Sequence, residues 1–186
     1  MNLTSIRSGM LNRRAKKNSS QIIKRLELKK GNVISDIGSG GGYFTFEFSK
    51  IVSSDGKVFA VDTNQKLLAH INKISKRDHI DNIETVISNE NCCLLPTTIC
   101  DFIFMRNVFH HITNPVSYFK DIKSCIRTGG KIVIIEWIPN INWNFISYTD
   151  HCTQYKEIQK IMREAGFTHV KSFDFLKAQS FNIFQK

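Results

Sequence analysis

The sequence has no long apolar run. No stretch approaches the roughly 18 consecutive apolar residues that a membrane-spanning helix needs. The N-terminus is polar and basic where a signal peptide would need an apolar segment. We therefore expect a cytoplasmic protein without a transmembrane segment. With 186 residues, of which 41% are hydrophobic, the chain is long enough for one well-buried domain and short for two.

The cysteines are few and are not spaced for cross-linking or zinc binding. The chain has five, an odd number, and none of them forms a Cys-x-x-Cys pair, which argues against a disulfide framework and a tetrahedral zinc site. No metal site is predicted. The adjacent Cys92 and Cys93 could hold a metalloid substrate through thiolates, but a free cysteine usually serves as a small buried apolar side chain.

Acidic residues are scarce in the first 30 residues. This leader carries nine Lys or Arg and one acid, a net charge of +8, whereas residues 31–186 carry 17 basic and 15 acidic residues, a net charge of +2. The charge is densest in "RRAKK" at 13–17. Such a segment could attract RNA, an anionic membrane surface or an anionic substrate, or it could be the solvated face of a helix.

Beyond the leader, the apolar residues alternate between the periods of strands and helices. This order predicts an α/β fold with a mostly parallel sheet and helices on both of its faces. The predicted strands are 32–37, 57–62, 83–88, 101–106, 131–138 and two terminal runs near 167–173 and 180–185. The predicted helices are 19–28, 43–52, 65–77, 116–127 and 154–166, of which the fourth is expected to end at Gly129 and Gly130.

The stretch "SDIGSGGGYF" at 35–44 places a glycine-rich loop between a predicted strand and a predicted helix. The N–H groups of such a loop and of the first helical turn carry partial positive charge and hold electron-rich groups. Gly38, Gly40 and Gly42 permit positive φ angles and the close approach of a ligand. Asp62 ends the next strand 20 residues after Gly42, where an acid in this kind of fold binds the hydroxyl pair of a ribose.

Two residues near the loop argue against a dinucleotide ligand. The G-x-G-x-x-G fingerprint would need a third glycine at position 43, where this chain has Tyr43. Asp36 precedes the first glycine and would repel a pyrophosphate. The same carboxylate suits a ligand with a cationic ammonium or sulfonium end.

Five segments, taken in order, resemble the class I S-adenosylmethionine-dependent methyltransferases, and more narrowly the small branch related to the ubiquinone/menaquinone C-methyltransferases. They are "DIGSGGGYFT", "GKVFAVD", "LLP" with "CDFIFMRNVFHHITNP", "IRTGGKIVIIEW" and "REAGF". The resemblance implies a Rossmann-like, seven-stranded, mostly parallel sheet with an antiparallel last strand. It also implies S-adenosylmethionine as cofactor and S-adenosylhomocysteine as product. Residues 31–186 would be the catalytic domain, and 1–30 a basic leader ending in a helix.

The resemblance implies a place for each residue of the cofactor site. The glycine loop would approach the methionine part of the cofactor, Asp36 its amino end, Asp62 its ribose and Thr63 its adenine. The family often has an aspartate where this chain has Asn89, whose amide oxygen can still accept from the adenine amino group. The predicted cofactor-binding set is Asp36, Gly38, Ser39, Gly40, Gly42, Tyr43, Asp62, Thr63, Asn89, Glu90, Arg106 and Asn107.

Three residues are candidates for a general base. His110 and His111 follow the fourth predicted strand, at the sheet edge where this fold places its chemistry, and Glu136 lies near the end of the fifth. A base is needed if the acceptor is a hydroxyl, an amine or an activated carbon. The histidines could instead pack beside the cofactor, and Glu136 could instead bind backbone. The aromatic residues of 137–152 could roof an acceptor or pin the segment to the core.

The resemblance leaves the acceptor open. The first hypothesis is a methyltransferase for a small, partly apolar molecule. The alternative is an RNA or protein methyltransferase that docks through the basic leader. A protein that binds the cofactor without catalysis and a metalloid methyltransferase are further alternatives. The oligomeric state is not predicted.

Overall fold

The computed structural model describes residues 3–89, 94–139 and 153–186. The chain divides into two compact units, Met1–Asn89 and Glu90–Lys186. The predicted boundary between a leader and a catalytic domain at residue 30 stays a prediction. None of the described helices is long and apolar enough to cross a membrane.

The first unit alternates helices and parallel strands. Strand β1 pairs with β2, with Val33 opposite Lys57, and β2 pairs with β3, with Val58 opposite Ile83. The buried residues of β2 suit a strand covered on both faces. The elements are α1 (Leu3–Lys16), α2 (Ser19–Leu26), β1 (Val33–Ile37), α3 (Tyr43–Val52), β2 (Lys57–Asp62), α4 (Gln65–Arg77) and β3 (Ile83–Ile87).

Helix α4 shows how sequence sets the elements of this unit. Its N-cap is Asn64, whose side-chain oxygen accepts from the backbone N–H groups of the next turn. Leu68 and Ile71 lie on one face of the helix and pack with Ala60 of β2. The carboxyl end of β2 is thereby held next to the start of α4.

The second unit contains one parallel strand pair and two antiparallel ones. Strand β4 runs parallel to β5, whereas β7 runs antiparallel to its neighbours β5 and β6. The strand order is β3-β2-β1-β4-β5-β7-β6. This confirms the predicted seven-stranded, mostly parallel sheet with an antiparallel last strand. The elements are β4 (Cys100–Arg106), a 3-10 helix (Phe109–His111), α5 (Pro115–Cys125), β5 (Ile126–Trp137), α6 (Tyr155–Glu164), β6 (Thr168–Phe173) and β7 (Gln179–Gln185).

The predicted junction between the fourth helix and the fifth strand was wrong. Helix α5 ends at Cys125, and β5 begins immediately at Ile126, so Gly129 and Gly130 lie inside the strand. The pairing of β5 with β4 shifts register here. Gly129 has a φ of +78°, and a Cβ on Gly130 would lie 2.6 Å from Ile126 Cγ2. The glycines therefore form an irregularity within the strand and do not end the helix.

Candidate active site

The glycine loop is tied to the end of β2. Gly38 N–H and Ser39 N–H both donate to the carbonyl oxygen of Val61, at 2.8 and 3.0 Å. Gly42 N–H donates to Ser39 O at 2.8 Å. Gly38, Gly40 and Gly42 have φ angles of 75°, 54° and 84°, all in the left-handed region that favours glycine. The sequence expectation of positive φ at these three positions is thereby confirmed.

Gly42 also satisfies a packing requirement. It is the N-cap of α3, and a Cβ at this position would lie 2.8 Å from Phe46 Cε2 and 2.9 Å from Ile71 Cγ1. Only a residue without a side chain allows α3 to begin this close to α4. The start of α3 therefore presents its first N–H groups immediately after the loop.

Asp62 fixes the tip of the loop. Its Oδ2 accepts from Gly40 N–H at 2.8 Å, and its Oδ1 accepts from Asn64 N–H at 2.9 Å. Each oxygen of a carboxylate has a second lone pair that can accept another hydrogen bond. Asp62 can therefore hold the loop and bind a ligand hydroxyl group at the same time.

Asp36 is a buried acid directly before the loop. Its Oδ2 accepts from Thr45 Oγ1 at 2.6 Å. The pKa of Asp36 is raised from 3.8 to about 7: burial is the largest cause, the hydrogen bond from Thr45 opposes it, and the negative charge of Asp62 adds to it. Because its side chain is only 3% exposed, Asp36 would act on a ligand mainly through its charge.

The basic leader forms part of this site. The Asn12 side chain of α1 donates from Nδ2 to Gly41 O at 3.0 Å and accepts at Oδ1 from Tyr43 N–H at 3.2 Å. The Tyr43 hydroxyl in turn lies 2.8 Å from Ser19 Oγ of α2. Asn12 thus holds both the loop and the first residue of α3.

The approach of α1 to the loop is close enough to explain Gly41. A Cβ on Gly41 would lie 2.4 Å from Asn12 Oδ1 and 2.6 Å from the carbonyl oxygen of Ser8. A Cβ on Gly40 would lie 3.5 Å from Leu11 Cδ1, an ordinary contact. Gly41 therefore makes room for α1, whereas a Cβ on Gly40 would only touch Leu11 of that helix.

The predicted contacts of the adenine follow β2 and β3 in the chain. Thr63 follows Asp62 and is exposed, as is Asn89 beyond β3. Glu90 lies outside the described residues, together with the adjacent Cys92 and Cys93. Their proposed roles stay predictions.

In the second unit, Arg106 and Asn107 share one partner. Gln179 of β7 accepts at Oε1 from Arg106 Nη2 at 3.1 Å and donates from Nε2 to Asn107 Oδ1. Burial lowers the pKa of Arg106 to about 10. Asn107 has a φ of +58°, and its N–H donates to Ile135 O at 2.8 Å. Gln179 therefore fixes both residues at the carboxyl end of β4.

His110 and Glu136 form a buried pair in the same unit. His110 Nδ1 lies 3.0 Å from Glu136 Oε1, and the two side chains are 6% and 0% exposed. Glu136 also accepts from the N–H groups of His110 and Trp137, at 3.3 and 2.8 Å. The carboxylate thus binds backbone and a candidate base together. His111 is exposed, with its ring centroid 4.1 Å from that of His110.

The predicted aromatic segment is only partly described by the structure. Of the aromatic segment 137–152, residues 140–152 lie outside the described residues, including Trp143, Phe145 and Tyr148. In the described part of the chain, no group of three or more His, Cys, Asp or Glu side chains could hold a metal ion.

Sequence reasoning missed Asn12, Gly41 and Gln179. No helix was predicted before residue 19, so nothing marked Asn12 as a partner of the loop. Gln179 lies 73 residues from Arg106, and only the insertion of β7 beside β5 brings it to the end of β4. The run of glycines did mark Gly41, but as part of a ligand cradle.

The chain is similar to known methyltransferases in sequence. A family profile described as a methyltransferase domain matches residues 28–170. The ubiquinone/menaquinone biosynthesis C-methyltransferase of Francisella philomiragia is 25% identical over 118 residues, which cover 63% of this chain and 47% of that protein. The chain thus spans about half the length of the curated relatives it matches.

Solved structures show the same fold. A SAM-dependent methyltransferase from Aquifex aeolicus superposes with a TM-score of 0.80 at 24% identity, covering 89% of this chain and 88% of that one. Phosphoethanolamine N-methyltransferase 2 from Haemonchus contortus, in complex with phosphomonomethylethanolamine and S-adenosylhomocysteine, gives a TM-score of 0.72 at 16% identity, covering 91% and 52%. The resemblance seen in the sequence is thereby confirmed, and the chain belongs to the family of methyltransferase domains.

Proposed function

We propose that this chain binds S-adenosylmethionine at the glycine loop and transfers its methyl group to a small, partly apolar acceptor, with S-adenosylhomocysteine as the product. The observation that carries the proposal is the combination of backbone N–H groups with two acids, Asp36 and Asp62. Asp62 raises the pKa of Asp36, so the two negative charges disfavour one another. A cationic ligand relieves this repulsion, whereas a pyrophosphate would add to it.

The residues at the loop fit this cofactor. Ser39 Oγ is buried and has no hydrogen-bond partner in the described part of the chain, so a polar ligand would satisfy it. Asp62 keeps lone pairs for a ribose hydroxyl pair while it holds Gly40 N–H. These residues would bind the cofactor, with Thr63, Asn89 and Glu90 near its base.

The chain's chemical role would be alignment and removal of a proton. When bound, S-adenosylmethionine supplies a methyl group on a positively charged sulfur, open to in-line attack. Fixed orientation of the reacting groups lowers the barrier by on the order of 7–11 kcal/mol. His110 would take the proton of a hydroxyl, amine or activated carbon at Nε2. Glu136, 3.0 Å from Nδ1, would orient the ring and stabilise the imidazolium.

The relatives support the class of acceptor. The Francisella protein is named for ubiquinone and menaquinone biosynthesis, which favours a small molecule with apolar character. We also infer a cytoplasmic location. The exposed arginines of α1 keep an RNA or protein acceptor as the alternative, with the leader as a docking segment.

A binding experiment tests the cofactor. Calorimetric titration should show that S-adenosylmethionine and S-adenosylhomocysteine each bind at one site per chain. A nicotinamide dinucleotide should not bind. Gly40→Val, which puts a β-branched residue at a φ of +54° and so distorts the loop, should bind neither sulfur compound. Equal affinity in Gly40→Val would contradict the assignment of the loop.

A labelling experiment tests the acceptor. Purified chain with methyl-labelled S-adenosylmethionine and fractionated cell extract should transfer label to the lipid-soluble or small polar fraction, with Gly40→Val as the background. Label in RNA or protein would favour the alternative. Cofactor binding with no transfer to any fraction would leave a non-catalytic binding protein.

A further inference from the structure

Helix α1 buries small and polar side chains beside the half-buried Leu11, and exposes two larger apolar ones, Ile6 and Met10. On the inner face, Ser8 is 1% exposed, and Asn12 donates to Gly41 O. On the outer face, Ile6 and Met10 are 45% and 57% exposed. A surface helix of a soluble protein ordinarily has the opposite arrangement, with the apolar stripe inside. The outer face of α1 therefore has features that packing within the first unit does not explain.

Three arginines flank the apolar pair. Arg7, Arg13 and Arg14 are exposed, and none of them forms an ion pair with a described residue. At 3.6 residues per turn, all three lie within about 60° of Met10 around the helix axis. Arg13 and Arg14 complement the dipole of the helix end. That explanation does not cover Arg7, which lies in the second turn.

The outer face points away from the glycine loop. Met10 and Asn12 are two residues apart and so lie about 160° apart around the helix. Since Asn12 binds the loop, Met10 is directed away from it. A partner of this face is therefore distinct from a ligand held on the loop.

We propose that the outer face of α1, defined as Ile6, Arg7, Met10, Arg13 and Arg14, docks on the surface of an anionic lipid bilayer. It combines two features that bind helices to anionic membranes: apolar side chains that can enter the acyl boundary and cations that meet acidic headgroups. The long arginine side chains can reach the headgroups while Ile6 and Met10 insert.

RNA is a weaker match for the same face. Non-specific binding of single strands combines positive charge with aromatic side chains on which bases stack. Helix α1 contains no aromatic residue, and exposed aliphatic side chains add little to phosphate binding. The apolar pair is the feature that separates the two partners.

Docking on a bilayer goes beyond the proposed function and does not rest on it, because lipid binding is measurable without methyl transfer. The inner face of α1 holds the glycine loop, so docking would keep the loop about one helix diameter, roughly 10 Å, from the lipid surface. An apolar acceptor dissolved in the bilayer would then be concentrated near the chain.

Vesicle flotation of the full chain tests the proposal. The chain should float with phosphatidylcholine vesicles that contain about 30% phosphatidylglycerol, and not with phosphatidylcholine alone, because each basic residue adds attraction to acidic lipids. Raising the salt from about 0.1 M to about 1 M should reduce binding, since the screening length falls from about 10 Å to about 3 Å.

Matched variants separate the apolar from the ionic contribution. Ile6→Ser with Met10→Ser should weaken vesicle binding about tenfold or more, since two inserted side chains are lost. Arg13→Gln with Arg14→Gln should do the same. The controls make equal changes elsewhere in the first unit: Ile87→Ser, 48% exposed on β3, and Lys73→Gln with Lys76→Gln on α4. Both controls should bind as the native chain does.

Three results would overturn the proposal. The first is that the chain shows no preference for anionic vesicles. The second is that the Ile6→Ser, Met10→Ser variant binds vesicles as the native chain does. The third is that Lys73→Gln with Lys76→Gln loses as much vesicle binding as the arginine pair. Tight, salt-sensitive binding of poly(U) RNA with no vesicle binding would assign the face to nucleic acid. Met10→Trp is an independent readout that keeps the charge, and its fluorescence should shift to shorter wavelength with anionic vesicles only. Unchanged thermal unfolding and cofactor affinity would show that the variants are folded.

Discussion

The two units hold their functional polar groups in different ways. In the first, the glycine loop consists of backbone held by side chains: Asp62 binds Gly40 N–H, and Asn12 binds Gly41 and Tyr43. In the second, side chains mostly hold one another, as Gln179 holds Arg106 and Asn107 and Glu136 lies against His110. A backbone cradle suits recognition of a ligand of fixed shape, whereas a side-chain pair suits movement of a proton.

This difference predicts different responses to mutation. Removing an acceptor in the first unit should affect ligand affinity, because the N–H groups of the loop must be aimed at the ligand. Removing Glu136 in the second unit should affect stability and turnover, because its partners are buried.

Asp62→Ala should weaken S-adenosylmethionine binding at least a hundredfold. The loop would lose its tie at Gly40 and the ligand its ribose acceptor, and a hydrogen bond to a charged group contributes roughly 1.5–3 kcal/mol. Calorimetry measures the change. The control is Asp55→Ala, an exposed acid paired with Lys30 at 3.0 Å in the same unit. Affinity within threefold of the native value would remove Asp62 from the site.

Glu136→Ala should lower the free energy of unfolding by about 2 kcal/mol or more, because buried N–H groups of His110 and Trp137 lose their acceptor. Affinity for S-adenosylmethionine should change less than twofold, since the partners of Glu136 are His110 and Trp137 and not residues of the loop. Urea unfolding and calorimetry report the two quantities. A large loss of affinity with unchanged stability would break the contrast between the units.

Asn12→Ala should weaken cofactor binding by up to about thirtyfold, because two hydrogen bonds of roughly 1 kcal/mol each hold the loop and the start of α3. Asn72→Ala is the matched control: it removes an exposed amide that donates to Thr85 Oγ1 at 2.7 Å in the same unit. If both variants bound the cofactor equally well, α1 would have no role in loop geometry.

Cofactor affinity should rise about fivefold from pH 6 to pH 7, because Asp36, with its pKa near 7, becomes about half ionised and attracts a cationic ligand. Asp36→Asn should remove this dependence. A pH dependence of affinity that persists in Asp36→Asn would assign it to another group.

The titration of Asp36 should also affect the free energy of unfolding, which should fall as the pH rises. The folded-state pKa of Asp36 is raised above its ordinary 3.8, so the folded protein binds its proton more tightly than the unfolded chain does. The stabilising contribution is full below pH 3.8 and is lost as the pH rises through about 7. Thermal unfolding across this range should therefore show a decline in the native chain that Asp36→Asn lacks.

The main elements of the fold were predictable because they follow local rules. Apolar runs such as 57–62 and amphipathic segments such as 65–77 form the same structure in most surroundings. The predicted first and last residues of these two elements agree with those of β2 and α4. The junction at Cys125 and Ile126 was not predictable, because a strand that contains two glycines depends on its pairing with β4. Helix α1 was missed because its buried side is small and polar.

In the candidate site, too, local features were predictable and contacts between distant residues were not. The spacing of Asp36, the loop glycines and Asp62 is a local signal, and the structure brings these residues together. The contact of His110 with Glu136 spans 26 residues, and that of Arg106 with Gln179 spans 73. Such contacts depend on which strands become neighbours, which a single sequence does not state.

The position of β7 between β5 and β6 has a consequence for synthesis on the ribosome. Strand β6 has no neighbour in the sheet until residues 179–185 have been translated and have left the exit tunnel. The first unit, complete by Asn89, can fold much earlier. A nascent second half should therefore keep unpaired strand edges until β7 emerges, which makes it prone to aggregation during synthesis.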